Sequence, residues 1–362
     1  MRFDVDFGRT WYLKAKDKTV CSITAKGRVQ IFISELVPFD LYLEDTDDFD
    51  MLFNNILNFN WWCGNRVLSL DRTHAKNILN SVGLKQAKTD VDKARISLAL
   101  NCVSLRDFYW VTENPDDKWD NYNLFSKHLC DIVEISLLGK NLTVTNVELV
   151  CNDISTDGVA PKAWVRKENG FSLYKTGPSE RVRNEVLAST ALTELGFEVL
   201  KYELITFQGV EVSKCQCFTD ENSGFVTAGN YNMNYDLQEL VDGKFSSEFW
   251  IMILCDYLIG NSDRHQDNWG FMFNDNREIM GLCPIFDFDH AFEAKEEYSC
   301  LPLQLLGQNG ITMEAAAGTA IKYLELDIDS LFNMSTCEYV KRRLLRLKEY
   351  CRWESLRSKL NK

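Results

Sequence analysis

The sequence predicts an α+β protein of two lobes, a strand-rich one followed by a helix-rich one. Residues 146–234 set short β-branched and aromatic runs between Gly, Pro and Asn turns. From residue 235 onward the apolar spacing is mostly helical, with one hairpin pattern inside it. Ahead of both, residues 1–145 read as a mixed α/β region without recognisable chemistry, expected to be accessory or partner-binding.

In residues 18–43 the spacing predicts short strands, "VQIFISEL" being the clearest. Ser69 is placed to cap a helix, "LDRTHAKNILNSV", closed by Gly83. "DKARISLALNCV" reads as a second helix and "NPDDKWDNYN" as a polar loop. Next come a strand, "NVELVCNDIS", a small-residue turn, "TDGVAP", and the strands "KAWVRK" and "FSLYKT" about an "ENG" turn. Gly177 and Pro178 break the pattern, and Ser179 is placed to cap the helix "ERVRNEVLASTALTEL", closed by Gly196. The strands "EVLKYELITF" and "VEVSKCQCF" complete residues 146–234. In residues 235–362 the hairpin is "WGFMF", the turn "NDNR" and the return "EIMGLCPIF".

The bulk numbers bound the function. At 362 residues, 45% apolar and 26% charged, the chain suits an ordinary soluble globular protein. A net charge of −13 argues against direct nucleic-acid or anionic-membrane binding, which needs a basic surface. The twelve cysteines show no metal spacing, and several lie in apolar runs. They read as reduced thiols of a cytoplasmic protein. "MRFDVDFGRT" lacks the apolar core of a signal peptide, and the longest apolar run, near residues 249–259, is broken by Asp256 and too short to span a bilayer.

The densest chemistry lies in "LIGNSDRHQDNWGFMF", where Asp263, Arg264, His265, Asp267 and Asn268 sit between apolar flanks. Charge driven into such surroundings needs a partner. The hairpin returns the chain so that Asn268 at one end lies beside Asp287 at the other, close to Asp263. This cluster of hard oxygens suits Mg²⁺, which keeps several waters and takes phosphate oxygens for the rest. Arg264 and His265 are expected to orient the carboxylates, the histidine as a hydrogen-bonder. A metal–nucleotide partner calls for phosphate contacts from the strand-rich part. Ser155, Thr156, Asp157, Gly158, Val159 and Lys162 fall in a turn whose N–H groups suit phosphates. Lys175 ends an apolar strand, and Glu185 lies beside the apolar face of the next helix. An inward lysine and an inward glutamate of this kind form the ion pair that positions ATP in protein-kinase-like folds.

Five blocks in this order, "DISTDGVAPKAWV", "FSLYKTG", "NEVLASTALTELGFEV", "FWIMILCDYLIGNSDRHQDNWGFMF" and "LCPIFDFDHAF", resemble the HipA-like serine/threonine kinases. The resemblance spans residues 150–350. It implies a two-lobed protein-kinase-like (HipA-like) fold, ATP and Mg²⁺ as cofactors and transfer to a Ser/Thr hydroxyl of a protein. It makes Asp263 the catalytic aspartate, Asn268 and Asp287 the metal ligands, Lys175 the ATP lysine with Glu185 as its partner, and residues 155–162 the phosphate loop. It also implies an antitoxin protein as partner and autophosphorylation at Ser155. Two departures stand out. Arg264 replaces a glycine of the toxin itself, giving an Asp-Arg-His string also seen in phosphoinositide-type kinases. The metal motif is "DFD", so Asp289 is either a second ligand or the partner of Arg264. Two other classes compete. A lipid or small-molecule kinase is favoured by Asp-Arg-His and opposed by the acidic "HAFEAKEEYSC". A pseudokinase acting as a binding module is favoured by residues 339–362, with nine Lys/Arg against two Glu.

Overall fold

A computed structural model describes residues 8–66, 90–126, 162–167, 170–294 and 297–360. The protein is a mixed α+β chain with antiparallel sheets. It divides into two compact units, one drawn from residues 1–176, 217–226 and 272–280, the other from 177–216, 227–271 and 281–362.

In the first unit, β1 (Thr10–Ala15), β2 (Lys18–Thr24), β3 (Val29–Ile31) and β4 (Tyr109–Thr112) form a sheet of order β3-β2-β1-β4. Strand β1 escaped the sequence reading. "VQIFISEL" is strand only as far as Ile31, and Ser34–Leu36 coils into a 3₁₀ turn. Helix α1 (Phe49–Gly64), also unforeseen, is capped by the Asp48 carboxylate on the N–H groups of Asp50 and Met51, and packs against α2 (Asp90–Ala99). The "DKARISLALNCV" helix stops at Ala99, because Asn101 and Cys102 adopt left-handed backbone. The "NPDDKWDNYN" loop holds a 3₁₀ turn at Trp119–Asn121. The core includes Leu13, Val20, Phe108 and Trp110, and it also holds a buried bidentate pair, with Arg66 Nη1 and Nη2 at 2.9 and 2.6 Å from the Asp107 oxygens. Strands β5 (Lys162–Lys167) and β6 (Gly170–Lys175) pair as an antiparallel hairpin with Lys162 directly opposite Lys175. The expected helix at residues 70–82, the strand "NVELVCNDIS", the turn "TDGVAP" and Glu168 and Asn169 of the "ENG" turn lie outside the described residues.

In the second unit, α3 (Ser179–Glu194) packs on the hairpin of β7 (Tyr202–Phe207) and β8 (Val210–Gln216). Pro178, not Ser179, takes the N-cap position of α3, and the Ser179 hydroxyl reaches Glu211 at 3.3 Å instead. Strand β9 (Ser223–Thr227), which belongs to the first unit up to Val226, leads to the short helices α4 (Ala228–Asn232) and α5 (Leu237–Asp242), capped by Thr227 and Asp236. Helix α6 (Ser246–Ile259) is the spine of this unit, buried at every position from Met252 to Ile259. Strands β10 (Gly270–Asn274) and β11 (Ile279–Leu282) form the expected hairpin, whose residues 272–280 belong to the first unit and whose base is extended by the Cys283 N–H on the Gly270 carbonyl at 2.9 Å. Then follow α7 (Leu301–Leu305), α8 (Met313–Tyr323), α9 (Ile328–Met334) and α10 (Glu338–Leu360). Helices α8 and α10 pack against α6, with Val340, Arg343, Leu344 and Leu347 forming the buried stripe of α10. Among the described residues no helix is long and apolar enough to cross a membrane, and the cysteines are free thiols.

Candidate active site

The site grows from the C-terminus of α6. Gly260 ends the helix in left-handed backbone, φ +62°. A β-carbon there would collide with the Tyr339 hydroxyl, so glycine suits the position on both counts. The turn lets Asn261 fold back onto the helix. Its N–H donates to the Asp256 carbonyl (2.9 Å) and its Nδ2 to Asp256 Oδ1 (3.0 Å). Its Oδ1 accepts the Asp263 N–H (3.1 Å). The carboxylate of a fully buried residue therefore holds the backbone at Asp263.

Arg264 is the second arm on that carboxylate. Its Nε and Nη2 each lie 2.8 Å from an Asp256 oxygen, and the two side chains are 1% and 0% exposed. Burial alone would lower the guanidinium pKa, but the facing Asp256 carboxylate overrides it and holds the pKa above the ordinary value. The partner of Arg264 is thus Asp256, not Asp289. The remaining nitrogen, Nη1, donates at 2.5 Å to two carbonyls, Asn268 and Phe286. These belong to the two ends of the β10–β11 hairpin, so one guanidinium ties together the segments bearing Asn268 and Asp287.

Asn268 is buried, and its Nδ2 donates to the Asp263 carbonyl (3.0 Å). Asp287 adopts left-handed backbone (φ +63°), which aspartate tolerates better than most residues. Its N–H donates to the Tyr202 hydroxyl at 3.3 Å. Asp289 is half-buried. The Asp263 carboxylate is 45% exposed, with His290 Nε2 at 3.7 Å from it. Glu293 holds the other nitrogen of His290 at 2.8 Å. His265 is exposed and serves the turn, its Nδ1 accepting the Asp267 N–H at 3.2 Å. Among the described residues no group of three or more His, Cys, Asp or Glu forms a metal cage. An amide oxygen with one or two carboxylates is instead the sparse oxygen set that fits Mg²⁺ bound together with phosphates.

Glu185 lies on the buried face of α3, 1% exposed, and accepts the Ser213 hydroxyl of β8 at 2.5 Å. The Tyr202 hydroxyl stands near both carboxylates: burial first, then Glu185, and more weakly Asp287, push its pKa well above the ordinary value. Helix α3 also meets the segment after Asp289, through Asn184 Nδ2 on the Ala291 carbonyl (3.0 Å) and Arg181 with Glu293 (3.5 Å). In the other unit, Lys175 is 8% exposed at the end of β6, opposite Lys162. Ser155, Thr156, Asp157, Gly158 and Val159 lie outside the described residues.

Sequence reasoning missed Asp256, Asn261, Tyr202 and His290. Asp256 did carry a signal: one carboxylate in an otherwise apolar helix demands a buried partner. Tyr202 carried none, since an aromatic residue in a strand is ordinary.

No family model matches the chain. Among curated proteins it is similar to the serine/threonine-protein kinase CtkA of Helicobacter pylori, 29% identical over 124 residues. That match takes in 29% of this chain and only 38% of the length of that kinase. Among solved structures, the crystal structure of the Helicobacter pylori kinase CtkA gives a TM-score of 0.37 at 19% identity, covering 51% of this chain and 88% of that one. A Shewanella oneidensis toxin–antitoxin complex of HipA, HipB and operator DNA gives a TM-score of 0.49 at 13% identity, covering 94% and 90%. The sequence similarity is thus to part of one serine/threonine-protein kinase, at low identity.

Proposed function

We propose that this chain is an ATP- and Mg²⁺-dependent kinase that transfers a phosphoryl group to a Ser/Thr hydroxyl of a protein. The observation that supports the reading is that Arg264 Nη1 donates to both the Asn268 and the Phe286 carbonyls, while Asn268 Nδ2 donates to the Asp263 carbonyl. Similarity to a serine/threonine-protein kinase over 124 residues supports it. In this reading residues 146–234 are the ATP-binding lobe, residues 235–362 the catalytic lobe, and residues 1–145 an accessory region.

Each residue then has a task. Asp263, exposed and fixed at its backbone by Asn261, orients the acceptor hydroxyl and takes its proton. The Asn268 amide oxygen and the Asp287 carboxylate hold the metal, with Asp289 in support. When bound, Mg²⁺ neutralises charge on the phosphates of ATP. Lys175 and Lys162 reach toward phosphate oxygens, and the N–H groups of residues 155–159 cover them. The motif resemblance assigns Glu185 as the carboxylate that accompanies this lysine. Catalysis is then positioning plus electrostatics.

Arg264 bears on the lipid-kinase alternative. At 1% exposure and fully engaged by Asp256 and two carbonyls, it has a task that no lipid substrate explains. The antitoxin partner and the autophosphorylation of Ser155 or Thr156 rest on the motif resemblance and belong to the same reading. The test is incubation of the purified chain with Mg²⁺, γ-labelled ATP and either cell-lysate proteins or extracted lipids. Label on Ser/Thr of protein, absent with Asp263→Asn, is expected. Label on lipid alone, or equal ATP consumption by Asp263→Asn, overturns the proposal.

A further inference from the structure

The Asp256–Arg264 pair costs desolvation that an apolar pair of similar volume would avoid. Its geometry suggests what it does in return. Asp256 sits in the stretch of α6 whose side chains are all buried, so it is a rigid point. A guanidinium is planar, and fixing Nε and Nη2 against one carboxylate fixes where Nη1 points. Nη1 then meets the Asn268 and Phe286 carbonyls at the same 2.5 Å distance. Phe286 immediately precedes Asp287, so a carbonyl held at Phe286 fixes the backbone from which the Asp287 side chain departs. The same carboxylate fixes Asp263 through Asn261.

We propose that Asp256 and Arg264 are positioning residues that form a clamp, setting the separation of the Asn268 and Asp287 segments and thereby the affinity of the site for a divalent cation. The inference rests on the kinase reading and deepens it. Neither residue touches the metal. They act as outer residues do at other metal sites, where their loss lowers affinity roughly 10–100-fold. Lysine cannot substitute, since its single ammonium cannot grip a carboxylate bidentately and bridge two carbonyls.

The test uses Mn²⁺ as probe, measured by electron paramagnetic resonance on the full chain with a non-hydrolysable ATP analogue. Arg264→Lys is compared with the paired variant Asp256→Leu/Arg264→Met, which removes both charges and so avoids leaving one buried alone. Both should bind Mn²⁺ at least about tenfold more weakly than the unmodified chain, while metal-free nucleotide binding changes less than about twofold. The paired variant should keep a thermal midpoint close to the unmodified chain, which separates loss of the clamp from loss of the fold. Should Arg264→Lys fail to fold, the paired variant decides. A folded paired variant with undiminished Mn²⁺ affinity overturns the clamp and leaves the kinase reading standing. An unmodified chain that binds no Mn²⁺ with the nucleotide overturns both.

Discussion

Replacing Asp256 by alanine should damage stability far more than an ordinary helix substitution. The carboxylate accepts three side-chain hydrogen bonds, two from Arg264 at 2.8 Å and one from Asn261 at 3.0 Å. Hydrogen bonds to a charged group contribute about 1.5–3 kcal/mol each, so simple addition gives about 4.5–9 kcal/mol. Addition overstates the loss, because all three share one acceptor. The better guide is a buried pair broken on one side, which costs about 3–5 kcal/mol and leaves an uncompensated guanidinium. That is a large part of the roughly 5–15 kcal/mol that holds a domain folded. For a folding unit of 150–250 residues it lowers the midpoint by about 6–20 °C, at roughly 2–4 °C per kcal/mol. Urea unfolding followed by tryptophan emission suits the measurement, since Trp269 is buried next to Asn268. Adding Arg264→Met to the alanine variant should recover part of the loss by removing the stranded charge. A cost below about 1 kcal/mol at unchanged denaturant slope refutes the reasoning, because a buried, triply bonded carboxylate cannot be lost so cheaply.

How far the site was legible depended on the range of the signal. Local chemistry read well: strand β6 ended at Lys175, and hairpin β10–β11 put its two ends together as the turn "NDNR" required. The nearness of the Asn268 and Phe286 segments, both held by Arg264, followed from that hairpin. The reading failed where a tertiary contact overrode a local rule. Ser179 looked like a cap, but Pro178 took the position and Glu211 drew the hydroxyl away. Helix α1 was missed because "FDMLFNNILNFNWW" mixes apolar and polar residues without a clean stripe, and Phe49 and Phe53 remain exposed at 81% and 56%. The partner of Arg264 was sought nearby in the "DFD" motif, whereas it stood eight residues upstream on the preceding helix. An aspartate inside an apolar helix was taken as an interruption of a hydrophobic run. Physically it was the anchor of the loop that follows. Tyr202 and His290 could not be read at all, since only the fold places them by Asp287 and Asp263.

Gly260→Ala should destabilise by about 1–3 kcal/mol in thermal unfolding, from left-handed strain together with the Tyr339 hydroxyl in its path. Lys175→Ala should weaken ATP binding by roughly tenfold or more in calorimetry, whereas Glu185→Ala should lower turnover more than binding. Ser155→Asp should lose ATP binding while keeping its circular dichroism, because the added charge repels phosphate. The last prediction separates charge from fold at the metal. Asparagine has nearly the volume of aspartate and also accepts left-handed backbone, so Asp287→Asn should keep the bond from its N–H to Tyr202 and the wild-type melting midpoint. It removes only the charge facing the cation, and Mg²⁺-dependent transfer should fall by about 100-fold or more. Asp289→Asn should lower transfer by about tenfold, as a residue supporting the metal from further out. Rates measured across a Mg²⁺ titration decide the assignment: full activity in Asp287→Asn with none in Asp289→Asn exchanges the two roles, because the charge that matters would then sit at the second aspartate of the motif.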